Sequence, residues 1–331
     1  MRAFAIDRYK HPLREVDAPE PVVGDTDVLV RVAAAGLNQL DEKVRIGEFK
    51  AFLPYKMPLV LGHDVAGVVL QVGEKVTRFA PGDAVYSRAR DGRIGTFAER
   101  VAIDETDVAR APRTITEIEA ASLPLVALTA WQALVELGNV STGQKVLIHA
   151  GAGGVGTIAI QLAKHLGAHV ATTVSGKNAE FVRELGADVV IGYPTQDFAD
   201  ELSGYDVELH RLGGDNLSKS LRVLRPGGKA IGIAGPPTPA FATTMGLNPL
   251  LRLVMGALSR KVRTQAASLG VTYEFLFMRS SGAQLREIAA LVDEGVLRPV
   301  VGATFPFDQT AAALASLERG GIRGKAVIVG A

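Results

Sequence analysis

The stretch Gly151-Ala152-Gly153-Gly154-Val155-Gly156 fits the pattern G-x-G-x-x-G, the composition of an anion-binding turn. Each glycine answers a separate steric demand. Gly151 allows a tight turn off a strand, Gly153 leaves room for a diphosphate to touch the backbone, and Gly156 lets a helix pack closely on a sheet. The pattern alone is weak, because glycine turns between strands and helices are common. Here the apolar run Val146, Leu147, Ile148 precedes it and an apolar, helix-patterned segment follows as far as Leu166, closed by Gly167. The start of that helix would present unpaired N–H groups and a positive dipole end to phosphate oxygens. A plain strand–turn–helix connection is the competing assignment. The context favours a dinucleotide.

The corner after the next strand selects the dinucleotide. An NAD site places an acidic residue about 20 positions past the glycines, where it binds the ribose 2′-hydroxyl. This chain has Ser175, Gly176, Lys177 and Asn178 there, and no acid. A hydroxyl and a cation suit a 2′-phosphate. A hydrogen bond to a charged group is worth roughly 1.5–3 kcal/mol, so even one favours NADPH by about tenfold or more. A solvated helix start is the alternative for Ser175 and Lys177. Further along, Gly213-Gly214 and Ile233-Ala234-Gly235 fall at the ends of expected strands, where such folds bind ligands. Those residues are candidates for lining the nicotinamide ribose, with ordinary strand-end turns as the alternative.

These residues need a scaffold, and its outline is visible. Residues 1–120 are rich in short β-branched runs, at 28–32, 65–72, 83–86 and 96–101, punctuated by Gly and Pro, with one helical segment over 38–47. That pattern predicts a small β-rich, barrel-like domain. Residues 117–137 read as helical with a break at Pro124. Beyond them, expected strands at 145–150, 169–174, 188–191, 205–209, 228–234 and 271–277 alternate with expected helices at 177–185, 214–224, 246–267 and 281–294. Such alternation predicts an α/β Rossmann unit, a doubly wound six-stranded parallel sheet. The β-like runs at 300–307 and 325–329 are expected to rejoin the first domain. The expected domains are therefore 1–120 plus 298–331, and 121–297, with the active site in the cleft between them.

The totals narrow the function class. With 36 basic and 35 acidic residues, the net charge of +1 argues against an electrostatic nucleic-acid binder or a membrane-surface protein. The absence of cysteine excludes disulfides and thiolate metal sites. The N-terminal MRAFAIDRYKHP alternates like a strand and has no apolar signal core, and a cytoplasmic location is expected.

The segments AAAGLNQLDEKVRIG (33–47), LVLGHDVAGVVLQVG (59–73), ASLPLVALTAWQAL (121–134), HAGAGGVGTIAIQLAKHLGA (149–168), LRPGGKAIGIAG (224–235) and GATFPFDQTAAALASLERGGIRGKAVI (302–328) stand in order along the chain. Together they resemble the zinc-free branch of the medium-chain dehydrogenase/reductase superfamily, above all quinone oxidoreductases and NADPH-dependent alkenal/enone reductases. The resemblance implies a GroES-like domain beside the Rossmann domain, NADPH, a small electrophilic substrate and a homodimer. It adds Thr129, Tyr193 and Lys325 to the expected cofactor contacts. Zinc-dependent members carry a cysteine ligand where this chain has Asn38, and a His in the motif that reads Gly62-His63-Asp64 here. One His and one carboxylate are a poor set for a catalytic Zn²⁺, which needs three good protein ligands. No metal is expected, and His63 reads as structural. His11, His149 and His210 form no visible cluster, and His165 and His169 are separated by Gly167.

Without a strong Lewis acid, hydride addition to a quinone or to the C=C bond of an enone needs only hydrogen-bond donors for the developing charge. Asn38, Lys43 and Tyr55 are the candidates for that task. Their competing assignments are a helix cap, a surface lysine and a loop-packing aromatic. An alcohol/aldehyde oxidoreductase and a non-catalytic NADPH-binding protein remain as rival functions. One departure from the family stands out: its fourth strand usually reads DVVFDxxGG, whereas residues 206–214 read DVELHRLGG.

Overall fold

The computed structural model describes residues 1–213 and 215–330, so Gly214, one of the expected strand-end glycines, lies outside the described residues. The chain divides into two compact units, Met1–Leu128 with Arg279–Ala331, and Thr129–Met278.

The first unit begins with β1 (Arg2–Ile6), β2 (Arg14–Asp17) and β3 (Asp27–Gly36), followed by α1 (Gln39–Ile46), β4 (Leu59–Val60), β5 (Asp64–Val72), β6 (Ala84–Arg88), β7 (Arg100–Asp104), β8 (Val108–Arg110) and α2 (Glu117–Ala121). β1 pairs with β2 and β4 in a small antiparallel sheet. β3 is the spine of the larger one. It pairs antiparallel with both β5 and β7, and two register shifts against β5 bend it. Its alternate residues Val28, Val30 and Val32 are buried in one core with Val65, Val85 and Phe97. The strand expected over 96–101 starts later, at Arg100. The N–H groups of Thr96 and Phe97 donate instead to Gly62 and Leu61, so this stretch links the two sheets before β7 begins.

The helical run after α2 breaks where Pro124 was expected to break it. α3 (Pro124–Trp131) starts with that proline and passes into a π-helical turn over Gln132–Leu137. The second unit then follows as β9 (Lys145–His149), α4 (Gly154–His165), β10 (His169–Val174), α5 (Ala179–Glu184), β11 (Val189–Gly192), α6 (Phe198–Glu201), β12 (Tyr205–His210), α7 (Asn216–Val223), β13 (Leu224–Gly232), α8 (Pro239–Thr244), α9 (Pro249–Leu258), α10 (Arg260–Ser268) and β14 (Thr272–Phe275). The six strands form one sheet in the order β11-β10-β9-β12-β13-β14, all parallel. This is the doubly wound order, with the chain reversing direction of travel between β9 and β12. Val146, Leu147 and Ile148 of β9 are fully buried, as the central strand of a sheet covered on both faces must be. The single helix expected over 246–267 is two. Pro249 and the Asn248 cap set the first start, and Ser259 ends it by turning its hydroxyl back onto the carbonyl of Met255.

The chain returns to the first unit with α11 (Gly282–Asp293), β15 (Val301–Pro306), α12 (Thr310–Arg319) and β16 (Lys325–Val329). β16 lies between β15 and β3, parallel to the former and antiparallel to the latter. α11 belongs to this unit rather than to the Rossmann unit, where the sequence boundary at 297 would put it. Gly282 lies against the carbonyl oxygen of Val108, and the Tyr86 hydroxyl donates to the carbonyl of Leu285. Among the described residues, no helix is long and apolar enough to cross a membrane.

Candidate functional site

The glycine turn sits where β9 hands over to α4. The left-handed residue there is Ala150 (φ 54°), not Gly151. Gly151 is required for a different reason: a β-carbon on it would lie 2.2 Å from the Thr172 hydroxyl oxygen. One on Gly156 would lie 2.5 Å from the carbonyl oxygen of Ala150. No side chain caps α4, whose N-cap is Gly153 in an extended conformation. The first-turn N–H groups, with Ala152, Gly154 and Val155 around them, are thus left for an anion. One side chain approaches this cradle. A guanidinium nitrogen of Arg211 lies 2.6 Å from the position of a Gly153 β-carbon. Burial pushes that guanidinium below its usual pKa, the signature of a cation with little compensating charge. A diphosphate fits both the uncapped helix and this cation. In the sequence Arg211 falls within DVELHRLGG, the polar strand end that departs from the family pattern and is expected either to open into the cofactor cleft or to border a partner surface.

At the carboxyl end of β10, Ser175 is half-buried and accepts a hydrogen bond from the Asn178 amide at 3.0 Å, while Lys177 is exposed. Tyr193, just past β11, is 63% exposed and held by its backbone N–H on Val174. Gly213 is exposed just past β12. Ile233 and Ala234 lie just past β13, with Ile233 N–H on the carbonyl of His210, and Gly235 adopts φ 146° beside the Tyr273 hydroxyl. These residues therefore share the carboxyl edge of the sheet with the glycine turn. Thr129 is buried within α3.

In the first unit, the expected catalytic residues separate. Asn38 is buried at the N-cap of α1. Its amide donates to Asp64 Oδ2 at 3.0 Å and to the Gly36 carbonyl at 3.3 Å, and its oxygen accepts from the Lys325 ammonium. Lys325 also donates to the carbonyl of Leu37 at 2.7 Å and to Asp64 Oδ2 at 3.3 Å. Two expectations are corrected here. The Asn38 amide has no proton left for a substrate, and the three donors of Lys325 are taken by protein oxygens rather than by a cofactor. Asp64 completes the cluster by accepting the N–H of Leu125 at 2.9 Å. Burial pushes its carboxyl above the usual range, against the opposing pull of Lys325 and Asn38.

Lys43 is exposed. It pairs with Glu48 at 2.9 Å and lies over the Phe49 ring, which is the surface assignment and leaves it no part in the buried cluster. Tyr55 is half-buried. Its N–H donates to the Tyr9 hydroxyl, and its own oxygen lies 3.5 Å from the N–H of Gly92. Burial raises the pKa of its phenol, so the group stays protonated and able to donate.

His63 hydrogen-bonds the Asp41 carboxylate through Nδ1, and its Nε2 is buried without a partner. Asp41 also accepts the backbone N–H of Asn38 at 2.8 Å. As a catalytic zinc set these residues do not fit. A single free imidazole nitrogen remains, and the Lys325 ammonium already supplies the positive charge beside Asp64. The expectation that the other histidines form no cluster is corrected in the second unit, where His149 and His210 meet at Glu208.

Residues 24–113 match the family described as alcohol dehydrogenase GroES-like domain, and residues 185–328 match that described as zinc-binding dehydrogenase. The Mus musculus protein named NAD(P)H oxidoreductase RTN4IP1, mitochondrial, is 36% identical over 327 residues, covering 91% of this chain and 81% of its own. The Arabidopsis thaliana protein named NADPH-dependent alkenal/one oxidoreductase, chloroplastic, is 35% identical over 318 residues, covering 93% of this chain and 73% of its own. The solved quinone oxidoreductase from Coxiella burnetii superposes with a TM-score of 0.86 at 32% identity, covering 100% of this chain and 99% of that one.

Proposed function

From the premise that this chain belongs to the medium-chain dehydrogenase/reductase superfamily, among oxidoreductases that use a nicotinamide cofactor, we propose a zinc-independent, NADPH-dependent reductase of quinones or of the C=C bond of α,β-unsaturated carbonyls. The observation that carries this reading is the Asn38–Asp64–Lys325 cluster. Where the family resemblance puts a metal ligand, this chain has a saturated amide beside a fixed ammonium. An acceptor that delocalises its own developing charge suits such a site better than an alcohol.

NADPH, when bound, supplies the hydride. Ser175 and Lys177 hold its 2′-phosphate, and the first turn of α4 with Arg211 holds the diphosphate. Asn38 and Lys325 act as positioning residues that fix the start of α1. Tyr55 would donate the proton that the anion left by hydride addition takes up, at the α-carbon of an enolate or at the oxygen of a hydroquinone anion. Removing a general acid slows a reaction by roughly 10²–10⁴-fold. Tyr55→Phe is therefore expected to lower kcat by at least about 10²-fold with NADPH affinity unchanged. A variant with wild-type kcat would remove Tyr55 from the chemistry.

The experiment that tests the function is NADPH oxidation against short 2-alkenals, enones and quinones, with NADH in parallel and after chelation. Turnover that survives chelation and prefers one acceptor class is the expected result. Turnover confined to simple aldehydes, or lost with the chelator, would overturn it. Lys177→Glu places a carboxylate at the 2′-phosphate corner. It is expected to lower the NADPH-over-NADH ratio of kcat/KM by about tenfold or more, the loss of one charged hydrogen bond. An unchanged ratio would place the phosphate elsewhere.

A further inference from the structure

β9 ends in His149 and β12 ends in Glu208-Leu209-His210. Parallel pairing of Leu209 with Ile148 brings these ends side by side. Glu208 and His210 are two apart on one strand and so share a face. His149, Glu208, His210 and Ser220 of α7 are all essentially buried. His210 Nε2 lies 2.6 Å from the carbonyl oxygen of Leu212, which only accepts, so that nitrogen carries its hydrogen. Its Nδ1 then faces Glu208 Oε1 at 2.8 Å. His149 Nδ1 is held by the Thr173 hydroxyl at 3.0 Å, which leaves Nε2 facing Ser220 Oγ at 2.9 Å and Glu208 Oε1 at 3.3 Å. The other carboxylate oxygen, Oε2, is buried and has no partner. Two imidazole lone pairs and a carboxylate converge on one point, and the cluster needs a positive charge there.

We propose that His149, Glu208 and His210, with Ser220 as a fourth ligand, bind a divalent transition-metal cation of the Zn²⁺ class. The ligand atoms of the three residues all lie within 4.8 Å of one another. With bonds of about 2.0–2.1 Å, tetrahedral zinc sets its ligand atoms roughly 3.3 Å apart. The His149–Glu208 separation of 3.3 Å already has that value, and the His210–Glu208 pair opens by about half an ångström. Thr173 and the Leu212 carbonyl are the outer partners that metal-binding imidazoles require. The site lies in the nucleotide-binding unit, and it is built by the residues in which this strand departs from the family pattern. The cation ties β9 to β12 directly below the glycine turn and takes no part in hydride transfer.

The test uses the full chain, stripped with chelator and then titrated with Zn²⁺ and with Co²⁺. One Zn²⁺ per chain is expected by equilibrium dialysis, with the intense visible absorption of four-coordinate Co²⁺. Glu208→Gln and His210→Gln are expected to lower the affinity by about 100-fold or more. His169→Gln, which alters the exposed His169–Asp188 pair, should leave it unchanged. Ser220→Ala is expected to shift the Co²⁺ spectrum. Should the ligand variants fail to fold, the wild-type Co²⁺ form still reports: two paramagnetically shifted imidazole N–H resonances are expected. Absence of stoichiometric binding, fewer than two such resonances, or binding that survives both ligand substitutions would overturn the site. Activity of the stripped enzyme reads the proposed reaction separately.

Discussion

Gly156→Val is expected to abolish NADPH binding and to destabilise the second unit together. A β-carbon at this position would lie 2.5 Å from the carbonyl oxygen of Ala150, 2.7 Å from Gly151 Cα and 2.9 Å from its carbonyl carbon. All three are backbone atoms and cannot swing away. Either α4 lifts off β9 or the turn opens, and both displace the N–H groups of the first helical turn. Overpacking typically costs about 1–3 kcal/mol, and a branched side chain against rigid backbone belongs at the upper end, near 3 kcal/mol. Loss of the preformed cradle should weaken NADPH by at least about 10³-fold, the equivalent of roughly 4 kcal/mol. Gly153→Ala is the informative contrast. Its β-carbon meets chiefly the flexible end of Arg211, and the backbone there (φ −84°, ψ 170°) suits alanine. This variant should fold with wild-type stability and bind NADPH about tenfold more weakly, through crowding of the diphosphate. Urea midpoints and NADPH titrations of both variants separate the two effects. Wild-type affinity in Gly156→Val would remove the turn from nucleotide binding.

Lys325→Met should destabilise the first unit by about 3–5 kcal/mol, the cost of leaving one partner of a buried ion pair uncompensated. The lost ammonium serves Asp64, Asn38 and the Leu37 carbonyl at once. Adding Asp64→Asn removes the stranded charge, and the double variant should recover most of the loss. The sign of the pH dependence follows from the same contacts. Burial already holds the Asp64 carboxyl above its ordinary value, and Lys325 is the chief group opposing that shift. Without Lys325 the folded-state pKa rises further. The folded variant then binds a proton more tightly than the unfolded chain does. Its stability is greatest in acid, below the ordinary carboxyl pKa of about 3.9, and falls as pH rises towards the raised folded value. A deficit that is the same at every pH, or that the second substitution fails to repair, would show that the cluster does not work as a charge pair.

What the sequence made legible was local. The apolar run of β9, the glycines after it and the apolar side of α4 lie within 21 consecutive positions, Lys145 to His165, and their order is that of the structure. The alternation of strands and helices likewise anticipated the six-stranded parallel sheet. Long-range pairing was not legible. Lys325 and Asn38 are 287 positions apart, and nothing in either neighbourhood says that one saturates the other. His149 and Glu208 meet because β9 and β12 are adjacent and in register, whereas hydrophobic periodicity gives a strand's faces but not its neighbours. α11 illustrates the same limit: an amphipathic helix shows which side it buries, not against what. Ala150 was hidden for another reason, since a left-handed alanine is rare enough that the glycine beside it was the natural choice.

The late position of β16 sets an order of assembly on the ribosome. Residues 129–278 are contiguous, and the nucleotide unit can close as soon as they have emerged. The first unit begins to emerge earlier yet waits longer, because the strand beside β3 and the ammonium beside Asp64 come from β16, which is translated after the whole nucleotide unit. Until then β3 presents an open edge and Asp64 lacks its cation, the kind of intermediate that aggregates or engages chaperones. Nascent chains stalled before residue 325 should therefore carry a protease-resistant nucleotide unit behind a protease-sensitive N-terminal segment.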